Sequence, residues 1–225
     1  MNYADLEWWQ STLEATFHGI LKVRGLYHEE IFERRRIFGL VTYRARHRRL
    51  RKYIGELVSG VTRSIVEQKI DQLLFTIESA SGKPLEQYVF AIEPRIALQS
   101  HNNGRGLSAQ ISDFEEAFRS CVEGTCHAGK VLPQLPPACT FKVSMHVRDN
   151  NIGNQALSFG GTTPSLKHRS QICSLSGRPI FVARQGTPEL RGEGGPLDMT
   201  PLLKIEFEGV FPTHSLNVHV YRQAS

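Results

Sequence analysis

No apolar run in this 225-residue sequence approaches the roughly 18 residues that a membrane-spanning helix requires. The chain opens with Asp5 and Glu7, not with a cationic start followed by an apolar stretch, and no signal peptide is expected. Cysteine is scarce. Cys121, Cys126, Cys139 and Cys173 stand at no metal-ligand spacing, and without a leader they are expected to be reduced and intracellular. Nine histidines are scattered with no His-Glu-x-x-His and no paired His/Cys set, so no metal is expected. Gly82-Lys83 is followed by Pro84 where a phosphate loop needs Ser or Thr. Gly192-Glu193-Gly194-Gly195 lacks the strand-to-helix context of a nucleotide site. Cys126-His127 reads as the end of a helix, packed and charged at its C-terminus, and not as a nucleophile pair. Asp113, Glu115 and Glu116 read as a solvated helix face, not an acid/base pair. No internal repeat is visible. The expectation is a non-enzymatic protein without cofactors.

What is present is positive charge in one place. Hydrophobic residues make up 40% and charged residues 22%, ordinary values for a folded domain. Between Lys22 and Lys52 there are eleven Lys or Arg against three Glu, a local +8 in a chain whose total is +5. Its densest part is Arg44, Arg46, Arg48, Arg49, Arg51 and Lys52. Such a run suits phosphates, an acidic protein surface or an import receptor. A solvated start of a helix would look the same. Tyr53 alone follows it, so the aromatic interleaving of a single-strand-binding platform is missing.

Hydrophobic spacing then marks the elements. Leu6, Trp9, Leu13, Phe17 and Ile20 recur at three and four, which predicts a first helix ending near Gly25. Ile31 to Gly39 is of mixed character, with a short strand or turn expected around Leu40 to Tyr43. The basic run leads into a second helix, carried by Leu50, Ile54, Leu57, Val61 and Ile65. Two strands follow, Ile70 to Ile77 and Leu85 to Ile92, around turn residues Ser79 to Pro84. A loop is expected from Pro94 to Gly106. A third helix is expected from Leu107 to His127, with Gly129 beyond its end. Pro136-Pro137 precede strict alternation over Phe141, Val143, Met145 and Val147, the mark of a half-buried strand. Residues 150–200 are rich in Gly, Pro, Ser and Thr and read as a long loop. Leu203, Ile205 and Phe207, then Leu216, Val218 and Val220, predict two closing strands around a turn at Gly209 to His214.

Several stretches resemble the HORMA-domain family. His18-x-Ile20-Leu21-x-Val23-Arg24-x-x-Tyr27-x-x-x-Ile31-Phe32-x-x-Arg35 is similar to that family's first helix and following turn. Leu85-Glu86-Gln87-Tyr88-Val89-Phe90-Ala91-Ile92 is similar to its second hairpin strand. Pro136-Pro137-x-Cys139-Thr140-Phe141, followed by Val147-Arg148, is similar to its junction into the C-terminal segment. Within the family the resemblance lies towards accessory subunits of DNA polymerase zeta. It implies an α+β fold of three helices on a mainly antiparallel sheet, with a core over 1–149 and a C-terminal "safety belt" over 150–225.

The resemblance also implies partners and residue roles. The belt closes over a peptide of the polymerase zeta catalytic subunit, held beside Phe141 to Val147. Tyr53 falls on a pocket tyrosine, although a helix aromatic in the core would look the same. Leu50, Phe141, Val143, Met145 and Ile180 complete the implied peptide site, with Ile180 standing where the family has a belt tryptophan. Ile205, His219 and Tyr221 fall on the belt surface that receives the C-terminal domain of the translesion scaffold polymerase, and His219 replaces a glutamine there. Arg119 falls on the arginine used for pairing with a second HORMA domain, of the same or another chain. A remodelling ATPase of the AAA+ class and a nuclear location are implied as well. Two other readings stay open: a spindle-checkpoint or meiotic HORMA adaptor trapping different peptides, and a basic-patch module that binds nucleic acid directly.

Overall fold

The computed structural model describes residues 3–94, 107–147, 172–173, 182–183, 199–207 and 214–223, with side chains over 6–93, 111–112, 114–146 and 214–222. Its first helix, α1 (Tyr3–Val23), buries the stripe of Trp9, Leu13, Phe17 and Ile20 completely. The chain leaves it at Gly25, whose φ of 63° only glycine adopts freely. A ribbon follows, made of β1 (Phe32–Ile37) and β2 (Leu40–Ala45) in antiparallel register from Phe32↔Ala45 to Ile37↔Leu40. The second helix, α2 (Arg48–Val66), turns Leu50, Ile54, Leu57, Val58, Val61 and Ile65 inward. The central hairpin is β3 (Ile70–Glu78) with β4 (Pro84–Pro94). The third helix, α3 (Leu107–Val131), precedes β5 (Thr140–Val147). Two-residue pieces β6 (Ile172–Cys173) and β7 (Val182–Ala183) come next, and β8 (Met199–Phe207) and β9 (His214–Gln223) close the chain.

The large sheet runs in the order β6-β5-β3-β4-β9-β8, with β7 pairing β5 in parallel and every other pair antiparallel. Phe17 of α1 meets Phe75 at 5.3 Å and Phe90 at 5.9 Å between ring centroids, so the first helix lies on the centre of the sheet. Phe75 stacks on Phe141 at 5.0 Å, continuing the aromatic core towards β5. Each such ring, once buried, contributes about 1.5–3 kcal/mol. Leu216, Val218 and Val220 of β9 belong to the same core. The C-terminal segment therefore shares its apolar interior with the part of the chain before residue 150.

Three helices on a mainly antiparallel sheet is the expected α+β architecture. Two local expectations need correction. Ile31 to Gly39, read as mixed, holds a full strand. The turn at Phe38 and Gly39, with φ of 46° and 72°, has the doubly positive geometry that suits a two-residue hairpin. The third helix continues past His127 to Val131, so Cys126, His127 and Gly129 lie within it. A Cβ on Gly129 would stand 2.9 Å from Val23 Cγ1 and 3.4 Å from the Tyr88 hydroxyl; this glycine marks close packing and not a helix stop. The basic run leads into the second helix as expected: Arg44 is in β2, Arg46 is between elements, and α2 begins at Arg48. The turn at 208–213, the loop at 95–106, the glycines at 192–195, Ile180, the Asp113 side chain and most of 150–200 lie outside the described residues.

Candidate functional site

The sheet has two unlike flanks around its central hairpin. On one side β5 pairs with β3 from Thr140↔Glu78 to Val147↔Ile70. Beyond β5, the described residues supply only β6, opposite Val143 and Ser144, and β7, opposite Met145 and His146. Backbone groups at the start of β5 thus have no described strand on their outer side. An unpaired strand edge is a ready template for an added strand.

The side chains of β5 explain how this edge is kept straight. Phe141, Val143 and Met145 point into the core and are at most 8% exposed. Phe141 also meets Tyr53 of α2 edge-on, at 6.0 Å and 72°. Leu50, one turn earlier on α2, is buried. Tyr53 is half-buried, so the structure brings it to the rim of the same cluster in which Leu50, Phe141, Val143 and Met145 are core. An arriving chain would meet the backbone of β5 and the edge of Tyr53, with the other four side chains beneath.

The other flank is fastened. β9 pairs with β4 from Glu86↔Arg222 to Pro94↔His214, and with β8 on its far side. At one end His214 is buried with its ring edge-on to Trp9 at 6.4 Å. At the other, Arg222 Nη1 donates to Glu86 Oε1 at 3.1 Å and to the Pro133 carbonyl at 3.0 Å. Glu86 is itself gripped by Arg24, whose Nε and Nη2 donate to its two oxygens at 2.8 and 2.7 Å. The remaining Arg24 donors reach the carbonyls of Gly129, Leu132 and Pro133. Burial pushes the Glu86 carboxyl above its ordinary value, against the opposing pull of Arg24 and Arg222. A bidentate guanidinium pair in a buried setting fixes geometry more than it adds stability. Here it ties α1, the end of α3, β4 and β9 together at one point.

Sequence reading missed this centre, yet a signal existed. Glu86 shares the inward face of Tyr88, Phe90 and Ile92. Arg222 shares that of Leu216, Val218 and Val220. Arg24 follows Ile20 by one helical turn, on the apolar stripe. Three polar residues at inward positions of three elements call for one another.

The other expected site residues are spread over several elements. Ile205 is opposite the buried Val218 in the β8–β9 register, so it takes the other face of the sheet from His219 and Tyr221, against the expectation that the three share one surface. His219 and Tyr221 stack at 6.2 Å, on the face of β9 opposite the buried one. Arg119 is exposed on α3, near the hairpin tip at Gly39. Arg44 is ion-paired to Glu14 at 2.8 Å, while Arg46, Arg48, Arg49 and Lys52 are exposed and Arg51 half-buried. Among the described residues no cluster of His, Cys, Asp or Glu is arranged to hold a metal, and no helix is long and apolar enough to cross a membrane.

Comparison with known proteins agrees with this architecture. Residues 6–150 match the model of the HORMA domain. The chain is 28% identical over 139 residues to the zebrafish (Danio rerio) mitotic spindle assembly checkpoint protein MAD2B, covering 61% of this chain and 63% of that protein. It is 27% identical over 138 residues to the DNA polymerase zeta processivity subunit of Arabidopsis thaliana, covering 60% of each. The match thus spans about three fifths of the length of these curated relatives. Among solved structures, C. elegans HTP-2 bound to a HIM-3 closure motif superimposes with a TM-score of 0.60 at 12% identity, covering 96% of this chain and 88% of that one. With the domain model spanning well over half its residues, and with this sheet and these helices, the chain belongs to the HORMA-domain family.

Proposed function

We propose that this protein is a non-enzymatic adaptor. It takes an extended peptide of the DNA polymerase zeta catalytic subunit as an added strand on β5 and holds it there with its C-terminal segment. The observation that carries this is the unequal treatment of the two flanks. Among the described residues, the outer edge of β5 is met only by the two-residue pieces β6 and β7, opposite Val143 to His146, while β9, later in the chain, is fastened across the sheet on β4. Residues 148–198 join one flank to the other, so a chain lying on β5 sits where that connection can enclose it. Main-chain hydrogen bonds would supply affinity, Tyr53 and Ile180 would border the side-chain pockets, and enclosure would slow release. The polymerase assignment is supported by the name of the Arabidopsis relative, and the mode of binding by the closure motif held by HTP-2.

In the same proposal, the outward face of β8–β9, with His219 and Tyr221, receives the C-terminal domain of the translesion scaffold polymerase; Ile205, opposite the inward Val218, is not on that face. Tethering the two factors would raise their effective concentration. Arg119 pairs with a second HORMA domain, an AAA+ ATPase opens the clasp, and the protein works in the nucleus. A second reading, a spindle-checkpoint adaptor trapping a different peptide, is favoured by the name of the zebrafish relative.

Hydrogen exchange on the intact chain tests the proposal. Adding a proline-containing catalytic-subunit peptide is expected to slow exchange of β5 amides from Thr140 to Val147 and to dissociate slowly. If the peptide binds without protecting β5, strand addition is wrong. If it does not bind and a checkpoint peptide protects β5, the second reading takes its place.

A further inference from the structure

The cationic region is more selective than its sequence suggests, because the fold neutralises part of it. Arg44 is paired with Glu14, Arg35 with Glu33, and Lys52 with Glu56. Arg34, Arg36, Arg46, Arg48, Arg49 and Arg51 make no ion pair with a described acidic side chain. All but Arg51 are exposed.

Four of them, Arg46, Arg48, Arg49 and Arg51, fall within six residues where the base of the β1–β2 ribbon meets α2, and Arg34 and Arg36 lie on β1 of the same ribbon. Arg34 and Arg36 share one face of β1, two residues apart, so their Cα atoms stand about 6.8 Å from each other. The Arg46 amide donates to the Ile31 carbonyl at 2.6 Å, which seats Arg46 one step beyond the Phe32↔Ala45 pair at the ribbon's base. Two residues on, α2 begins with Arg48, Arg49 and Arg51 in its first turn and no acidic residue there. His47 precedes that turn without a side-chain cap. Cations at a helix N-terminus oppose the macrodipole, and an uncapped start forgoes the hydrogen bond a cap would add. Folding alone does not favour this arrangement. A polyanion on the surface would.

We propose that this surface is a second binding site, for the phosphate backbone of double-stranded DNA, independent of base sequence. Arginine forks match phosphate oxygens, and a row of them tracks a backbone. Single strands are disfavoured because the nearby aromatics are engaged: Tyr53 lies against Phe141 and Tyr43 lies under Lys22. The site is separate from the β5 edge and does not depend on the peptide proposal.

The test is fluorescence anisotropy of the full chain with a short labelled duplex of random sequence, titrated at several salt concentrations. Four phosphate contacts, from Arg46, Arg48, Arg49 and Arg51, predict a slope of log affinity against log salt of about −3.6, and about a hundredfold loss from 50 to 200 mM salt. The triple variant Arg48→Ala, Arg49→Ala, Arg51→Ala should lower the magnitude of that slope by about 3. Its lysine counterpart should keep most of the slope. A control that removes the same charge elsewhere, Arg63→Ala, Lys69→Ala, Lys130→Ala, should leave the slope nearly unchanged. The thermal midpoint of the alanine triple should be equal or higher, since it relieves the macrodipole, so lost binding would not mean lost folding. The proposal is overturned if the duplex does not bind at 50 mM salt, or if both triples lower the slope equally. It is also overturned if labelled polyglutamate binds more tightly than DNA, which would make the surface one for acidic protein.

Discussion

β5 and β9 are both strands beside the central hairpin, and each turns three apolar residues into one core. They differ in what lies on their other side and at their ends. β9 is flanked by β4 and β8 along most of its length, and its ends are held by His214 against Trp9 and Arg222 on Glu86. β5 has β3 on one side and only two-residue pieces described on the other. A strand needs only its apolar face to belong to the fold. Whether it is a finished part of the sheet or a place for another chain depends on its edge, and side-chain burial does not report on that.

The sharpest way to break the comparison is to unfasten β9. Glu86→Ala leaves Arg24 buried beside carbonyls without its carboxylate, which should cost about 3–5 kcal/mol in urea unfolding. Arg222→Ala removes only the outer, partly exposed partner and should cost about 1 kcal/mol. It should nonetheless speed hydrogen exchange near Arg222 more than in β5. Equal effects from the two variants would mean that Arg24 and Glu86 are not the anchor. Between them falls Gly129→Ala. Its new Cβ would press on Val23 and on Arg24 Cδ, 3.3 Å away, so overpacking of about 1–3 kcal/mol should appear as a lower thermal midpoint. If the variant is fully stable, Arg24 is not tightly cradled.

Much of the fold was legible because the helices and the long strands repeat apolar residues at their own periods. β1 was not, since Glu33, Arg34, Arg35 and Arg36 mask any alternation, and the ribbon turns at Phe38-Gly39 without the Asn or Asp that usually announces such a turn. The extent of α3 was misjudged because a glycine near a helix end resembles a stop, whereas Gly129 answers to Val23, Arg24 and Tyr88 from distant parts of the chain. The site divided the same way. Periodicity marked Phe141, Val143 and Met145 as one face, but which side of β5 lies against β3 is decided by strand order, and no local pattern carries that. Likewise the basic run was visible as charge, while the withdrawal of Arg44 by Glu14 depends on how the ribbon meets α1.

The gentlest probe of the comparison is a thiol at the start of β5. Cys139 immediately precedes Thr140, is half-buried, and donates its Sγ–H to the Pro136 carbonyl at 3.1 Å. Cys121 and Cys126 in α3 are more deeply set; burial pushes their thiols up to about 12 and about 11. Burial raises Cys139 as well, and its neighbour Glu86 adds to this, but access favours it. At pH 8 it should be alkylated before Cys121 and Cys126 in the folded protein, as peptide mapping by mass spectrometry would read. A strand added along β5 should slow Cys139 several-fold and leave the order of the two α3 thiols unchanged. If peptide binding slows all three alike, the peptide is tightening the whole domain, and the edge of β5 is not where it lies.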